Sequence, residues 1–412
     1  MASPSKIPNI NETSRPRGGF AEPKPADDQT PLALYIHWPF CVSKCPYCDF
    51  NSHVREAIDS ALWRDALLAD LAHEAARTPG RTLGSIFFGG GTPSLMPPAL
   101  VEALLAAAAR HWSFAPGIEI TLEANPNSVE VERFADLARA GVNRVSLGVQ
   151  SFDPATLRFL GRAHDSGEAT RAIATAQQHF GRVNFDLIYA LPGQSADAWH
   201  RQLSHALAFG TTHLSLYQLT IEPGTRFETL VRQGAFVPAD PDHAADLYDL
   251  TRETTDAAGL PAYETSNHAR PGDESRHNLA YWRYDDYVGI GPGAHGRRPA
   301  EGGQRHATRR HRKPENWLEA VARNGHGTQE ESPLAPGDQA QEALMMGLRL
   351  SEGIDLDRLS RRLGVAFERA LDPAAVERLS ALGLLRRDGS RLQLLPEGRL
   401  LLDAILPELV AN

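Results

Sequence analysis

Apolar positions along the chain fall into short continuous runs separated by longer stretches in which they recur every three or four residues. The runs at 32–37, 85–88, 118–122, 144–149, 183–189 and 213–219 read as buried strands. Helical spacing appears at 62–76, 99–111, 129–140, after Asp153-Pro154, and at 169–179, 196–209 and 243–258. Pro97-Pro98 suits the opening of the second helix and Gly141 the end of the third. Six strand–loop–helix repeats predict an α/β fold, with a parallel sheet and right-handed crossovers. Each unusual polar or glycine-rich string directly follows a strand, the rim at which a barrel gathers its chemistry. A partial TIM-like barrel over 31–262 is therefore expected, with an open doubly wound sheet as the alternative.

The rhythm breaks near Tyr263. Residues 263–335 read as a polar, aromatic and glycine-rich connector containing HNLAYW, and 336–412 as three helices followed by a hairpin turning at Asp388-Gly389. That order suggests a winged-helix-like domain. Residues 1–30 are rich in Pro, Gly, Asn and charge, and read as a disordered leader. They lack the apolar region of a secretory signal, and Glu12, Glu22, Asp27 and Asp28 argue against a mitochondrial presequence.

A length of 412 residues leaves room for two or three domains, and 42% apolar with 23% charged residues is ordinary for a soluble protein. A net charge of −9 argues against a general nucleic-acid partner, which would require a basic face. No apolar run approaches the ~18 residues needed to span a bilayer.

The chemistry is concentrated in YIHWPFCVSKCPYCDF, which holds the chain's three cysteines, Cys41, Cys45 and Cys48. Their number is odd and nothing suggests an oxidising compartment, so a disulfide is disfavoured. Thiolates this close suit an iron–sulfur cluster. The other readings are a zinc site completed by His37, His53 or a remote histidine, and three separately packed thiols. GGGTP at 89–93 is either a plain turn or a cradle in which glycine amides receive a carboxylate. Glu123 could cap the next helix. Asp186 lies between apolar neighbours and needs a partner, while Tyr35 reads equally as a core tyrosine. HNLAYW supplies His277, Tyr281 and Trp282, either as packed rings and a satisfied histidine or as a surface for a flat macrocycle with an axial ligand. His295 in PGAHG is a second candidate of that kind. The basic run 305–313 suits anionic groups or an anionic membrane surface, or is a solvated loop.

C-x3-C-x2-C with Tyr47 before the last cysteine resembles the signature of radical S-adenosylmethionine (SAM) proteins. The longer YIHWPFCVSKCPYCDFNS resembles the branch holding oxygen-independent coproporphyrinogen III oxidase and its heme-chaperone relatives, over nearly the whole chain after residue 31. The resemblance implies a three-quarter (β/α)6 barrel and a 4Fe-4S cluster on the three cysteines, with SAM at the open iron. It also implies SAM contacts from Tyr35, Gly90, Gly91, Thr92, Glu123, Gln150, Arg162 and Asp186. The oxidase has a further cysteine two positions after the third, where this chain has Phe50. That difference, with H-N-x-x-Y-W, points to a chaperone that binds heme and hands it to acceptor proteins, among them respiratory heme proteins. Its location would be the cytoplasm or the membrane periphery. The oxidase is the alternative, so whether the chain is an enzyme stays open; a third reading is a winged-helix regulator with the cluster as sensor.

Overall fold

A computed structural model of the chain describes residues 30–55, 57–300, 303–364, 366–367 and 370–410. Apart from Thr30, the expected leader lies outside the described residues. The chain divides into two compact units, Gln29–Leu334 and a second containing Ala335–Asn412.

The first unit is built on one eleven-stranded sheet. Its strands are β1 (Leu32–Trp38), β2 (Thr82–Gly90), β3 (Ser113–Ala124), β4 (Arg144–Gln150), β5 (Arg182–Tyr189), β6 (His213–Gln218), β7 (Asn267–Ala269), β8 (Tyr287–Ile290), β9 (His295–Pro299), β10 (Arg305–Arg310) and β11 (Thr328–Pro333). Strands β1 to β6 lie side by side in chain order, all parallel. A doubly wound sheet reverses its order at a switch point, whereas an unbroken 1-2-3-4-5-6 order winds in one direction, as a barrel does. The sheet ends in edge strands β7 and β11, so the barrel is partial. One face of these strands is apolar: Leu32, Leu34, Ile36, Ile86, Phe88, Leu122, Val145, Leu147, Phe185 and Leu214 are all buried, while the alternate positions, among them Ser85, Ser146, Asn184 and Ser215, carry polar groups into the barrel interior.

The helices begin where the sequence supplies caps. The Asp59 carboxylate accepts from the first turn of Ser60–Arg77, and Asp165 with Glu168 forms a reciprocal capping box at the start of Ser166–His179. The helix expected over 129–140 is two short ones, Ser128–Val131 and Phe134–Arg139. The cause is Glu130, whose buried carboxylate turns back to the amide of Asn125 (2.7 Å) and the side chain of Asn127 (2.6 Å), making the first turn an anchor for the loop after β3.

Residues 263–335, expected as a connector, instead extend the sheet. Strand β8 joins the free edge of β1 in parallel, and β9, β10 and β11 follow as antiparallel neighbours. The basic run is correspondingly a strand, not a loop. Arginines of β9 and β10 are buried against carboxylates: Arg298, 1% exposed, meets Glu74, and Arg310, 0% exposed, meets Asp70 and Glu74 on Ser60–Arg77. Arg305 pairs with Asp286 at 2.7 Å. Hydropathy alone could not show these strands, because their inward residues are charged and become buried by finding carboxylates.

In the second unit, helices Pro336–Gly347, Leu356–Leu363 and Pro373–Ala381 precede the hairpin of β13 (Leu385–Asp388) and β14 (Arg391–Leu394). A short strand β12 (Ile354–Asp355) pairs with β14 to complete a three-stranded antiparallel sheet. The turn lies one residue later than expected: Asp388 still pairs with Arg391, and Gly389, at φ 56°, takes the left-handed position.

Candidate functional site

The site forms where β1 to β5 end. Beyond β1 the chain runs through Phe40 and Cys41, which pair in parallel with His53 and Val54 and so close the cysteine loop onto itself. Within the loop Cys48 N donates to Cys45 O at 3.2 Å, and Phe227 N fastens Pro46 O at 3.0 Å. All three thiols are half-buried and unpaired. Each meets a different polar neighbour. The Thr92 hydroxyl lies 3.5 Å from Cys41 Sγ, Arg162 Nη1 3.3 Å from Cys45 Sγ, and Ser52 Oγ 4.0 Å from Cys48 Sγ. Burial raises the Cys48 thiol to about 11, and the Cys41 thiol also rises, with Cys45 adding to both shifts. Thiolates are therefore favoured here only with compensating positive charge beside them.

The glycine string follows β2 and lies against the base of this loop. Gly91 N donates to Trp38 O (2.7 Å) and Thr92 N to Phe40 O (2.8 Å). A Cβ on Gly91 would come within 2.7 Å of the Phe40 backbone. Gly90 has φ +119°, and a Cβ there would meet the His37 ring at 2.6 Å, so both positions require glycine. The Gly90 amide points at Glu123 Oε2, 3.0 Å away. Glu123 is thus not the cap of the next helix; Asn127 fills that role by accepting from Glu130 N.

Burial pushes the Glu123 carboxyl up to about 7, and Asp186 nearby adds to the shift. In the unfolded chain this group ionises near its ordinary value, so folding becomes less favourable as pH rises through that gap. Replacing Glu123 by glutamine keeps an acceptor for Gly90 and removes the titration. Thermal melts should show the variant gaining on wild type between pH 5 and pH 8, by at most about 3 kcal/mol. An identical pH dependence in the two proteins would refute the assignment.

Thr92 and Arg162 are joined through Asn125, which donates to the Thr92 hydroxyl (3.2 Å) and accepts from Arg162 Nη2 (2.5 Å). Arg162 Nη2 also donates to Gly148 O at 2.8 Å. Arg162 Nε is buried with no partner among the described residues. Gln150 ends β4 at φ 67°, a left-handed position uncommon for a side chain of its kind, and its amide lies over Gly148 beside Arg162. Asp186 accepts from Ser146 Oγ (3.2 Å) and Asn184 Nδ2 (3.0 Å), so its partners are neutral groups of the barrel interior. The Tyr35 hydroxyl lies 3.0 Å from His37 Nδ1, and His37 Nε2 lies 3.0 Å from Asn51 O. A carbonyl only accepts, so Nε2 carries the proton and Nδ1 accepts from Tyr35. Gly90, Gly91, Thr92, Glu123, Gln150 and Arg162 thus stand at or beyond the strand ends, with Tyr35 and Asp186 within their strands. Sequence reasoning missed Asn51, Asn125 and Glu130, which stand in CDFNS and LEANPNSVE but become meaningful only once their loops meet.

Three of the four macrocycle candidates, His277, Tyr281 and Trp282, share one helix, while His295 stands on a different element. His277, on the Arg276–Trp282 helix, lies lower in the sheet interior, 1% exposed and stacked on Phe87 at 5.0 Å. Its Nδ1 lies 2.9 Å from Ser85 Oγ and its Nε2 2.8 Å from Tyr281 OH, so both ring nitrogens are bonded. Trp282 is buried in the same helix. His295 is at the rim, half-buried, and burial with nearby Arg297, Arg309 and Arg312 lowers its pKa to about 4.

Comparison with known proteins agrees with this geometry. Residues 35–203 match the radical SAM superfamily and 334–401 the HemN C-terminal domain. The chain is 39% identical to heme chaperone HemW of Escherichia coli (strain K12), across 93% of this chain and 99% of that one. It belongs to the HemW branch of the radical SAM superfamily. Radical S-adenosyl methionine domain-containing protein 1, mitochondrial, of Bos taurus is 40% identical, across 96% of this chain and 90% of its own length. The solved structure of coproporphyrinogen III oxidase (HemN) from E. coli superposes with a TM-score of 0.77 at 24% identity, covering 92% of this chain and 89% of that one, and shows the shared fold.

Membership of the HemW branch brings the radical SAM pair with it, a 4Fe-4S cluster and SAM. The side chains fit both. Among the described residues no three His, Cys, Asp or Glu groups converge on a point that would hold a single metal ion. The three thiols stand in one loop, each beside a different polar neighbour, an arrangement that suits the separate iron corners of a cube. The orphaned Arg162 Nε and the carboxyl of Glu123 suit the carboxylate and the ammonium of an amino acid. Among the described residues no helix is long and apolar enough to cross a membrane.

Proposed function

We propose that the chain is a heme chaperone: it binds heme beside a SAM-ligated cluster and passes the heme to acceptor proteins, respiratory heme proteins among them. The observation that carries this reading is the 39% identity to heme chaperone HemW, which runs along 93% of the chain and is not confined to the cysteine motif. Phe50 supports it, standing where the oxidase pattern has a further thiol that this chain lacks throughout. Half-buried unpaired thiols suit a reducing compartment, the cytoplasm or the membrane periphery.

In this reading Cys41, Cys45 and Cys48 hold the cluster. When bound, the cluster would supply an iron site open to SAM. The chain's own groups then orient SAM. Glu123 would receive the amino group, Arg162 the carboxylate, and the backbone of Gly90 to Thr92 would set how closely the amino-acid end approaches. Asp186 and Gln150 supply polar contacts to the remainder, and Tyr35 packs against it.

The test is hemin titration of anaerobically reconstituted protein, followed by mixing with an apo heme protein. Saturable binding and heme transfer are expected. Conversion of coproporphyrinogen to protoporphyrinogen by the same preparation would establish the oxidase reading. Because both His277 ring nitrogens are bonded, His277→Ala is expected to leave hemin affinity within about threefold while lowering stability by about 1–3 kcal/mol, through the hydroxyls it strands. A tenfold loss of affinity in that variant would show that His277 leaves its partners to bind iron.

A further inference from the structure

We propose that heme docks on the face of the sheet extension that carries His295, Arg309 and Arg312, with His295 as the iron ligand; the assignment rests on the chaperone reading above. Three observations meet there. The first is position. The register Ile36 with Ile290 sets the end of β8 beside the end of β1, so the turn leading to His295 stands next to the cysteine loop. Asn51 of that loop donates to both Pro292 O and Arg312 O at 2.9 Å, tying the two together.

The second observation is the state of the imidazole. His37 and His53, its neighbours at this rim, both have hydrogen-bond partners, whereas the half-buried His295 side chain has none among the described residues. An imidazole in a polar setting without a partner is ready to ligate a metal.

Third, the surrounding charge matches the rest of the ligand. His295 and Arg309 are direct cross-strand partners, close enough for their side chains to act on one group. Arg298 and Arg310 face the opposite side, where Asp70 and Glu74 hold them, so strand alternation places His295 and Arg309 together on the other. Arg312 is exposed, and its guanidinium has no partner among the described residues. Arg309 has only an exposed pair with Glu330, a contact that yields readily. A neutral nitrogen ligand flanked by guanidinium groups is the complement of an iron porphyrin bearing two carboxylates. Tyr287, which opens β8 and packs edge-on against Tyr281 at 4.5 Å, gives this part of the sheet an aromatic floor.

The experiment titrates full-length, cluster-reconstituted protein anaerobically with hemin and, separately, with iron-free protoporphyrin IX. Wild type, His295→Ala, Arg312→Gln and His277→Ala are compared at matched iron content and thermal midpoint. His295→Ala is expected to weaken hemin at least tenfold and shift its Soret band, and to leave protoporphyrin IX unaffected. Arg312→Gln is expected to weaken both porphyrins about three- to tenfold, since it removes a charge-assisted contact to carboxylate. Hemin affinity and spectrum unchanged in His295→Ala would overturn the site while leaving the chaperone reading intact. Failure of wild type to bind hemin would overturn the chaperone reading, and the site with it. Loss of hemin binding confined to His277→Ala would also overturn the site.

Discussion

Replacing Asp70 by alanine is expected to cost about 3–5 kcal/mol of stability, a large share of what a domain of this kind possesses. Asp70 is wholly buried on the Ser60–Arg77 helix and serves four donors. Arg310 reaches it at 3.2 Å, Trp317 Nε1 at 3.2 Å, Gly291 N at 3.1 Å and Gly327 N at 3.1 Å. Removing the carboxylate leaves those donors without an acceptor in a site closed to water, and leaves the Arg310 charge to Glu74 alone. An unpaired buried donor costs more than its bond contributed, so the loss exceeds that of one salt bridge. The measurement is a denaturant midpoint at unchanged slope. A change below about 1 kcal/mol would mean that the donors find other partners, and would refute this account of how the extension is held.

The second large effect concerns the thiols. Cys45→Ala is expected to lower cluster iron after reconstitution by more than tenfold, because a cube held by two protein thiolates is poorly retained. The fold should survive, with stability changing by about 1 kcal/mol or less, since the thiol is half-exposed and packs no core. Iron and sulfide assays with a thermal melt test both halves. Wild-type iron content in the variant would remove Cys45 from the ligands, and collapse of the melt would show that the loop is structural.

These two cases mark what the sequence discloses. The thiols and the six strands are visible because their signals are local: three cysteines within eight residues, and apolar runs flanked by turns. Asp70 is invisible for the opposite reason. Its donors come from residues 291 to 327, more than two hundred positions away, and a helical aspartate looks like any solvated one. The same distance concealed β9 and β10, whose inward arginines read as a polar connector until their carboxylates arrived. Gly90 and Glu123 were legible as a glycine string and an acid after a strand, but only pairing of β2 with β3 made them hydrogen-bonded partners. His277 was legible as part of a conspicuous motif, but its two hydroxyl partners, on Ser85 and Tyr281, were not.

The parallel union of β1 with β8 carries a consequence for synthesis. About 250 residues separate Trp38 from Tyr287, so the first strand leaves the ribosome with one flank bare and acquires its neighbour only after most of the barrel has been made. At elongation rates of ~5–20 residues per second, that flank stays open for roughly ten to fifty seconds, an interval in which an unpaired apolar strand invites association with other nascent chains. A chain released before residue 287 would keep that bare flank permanently.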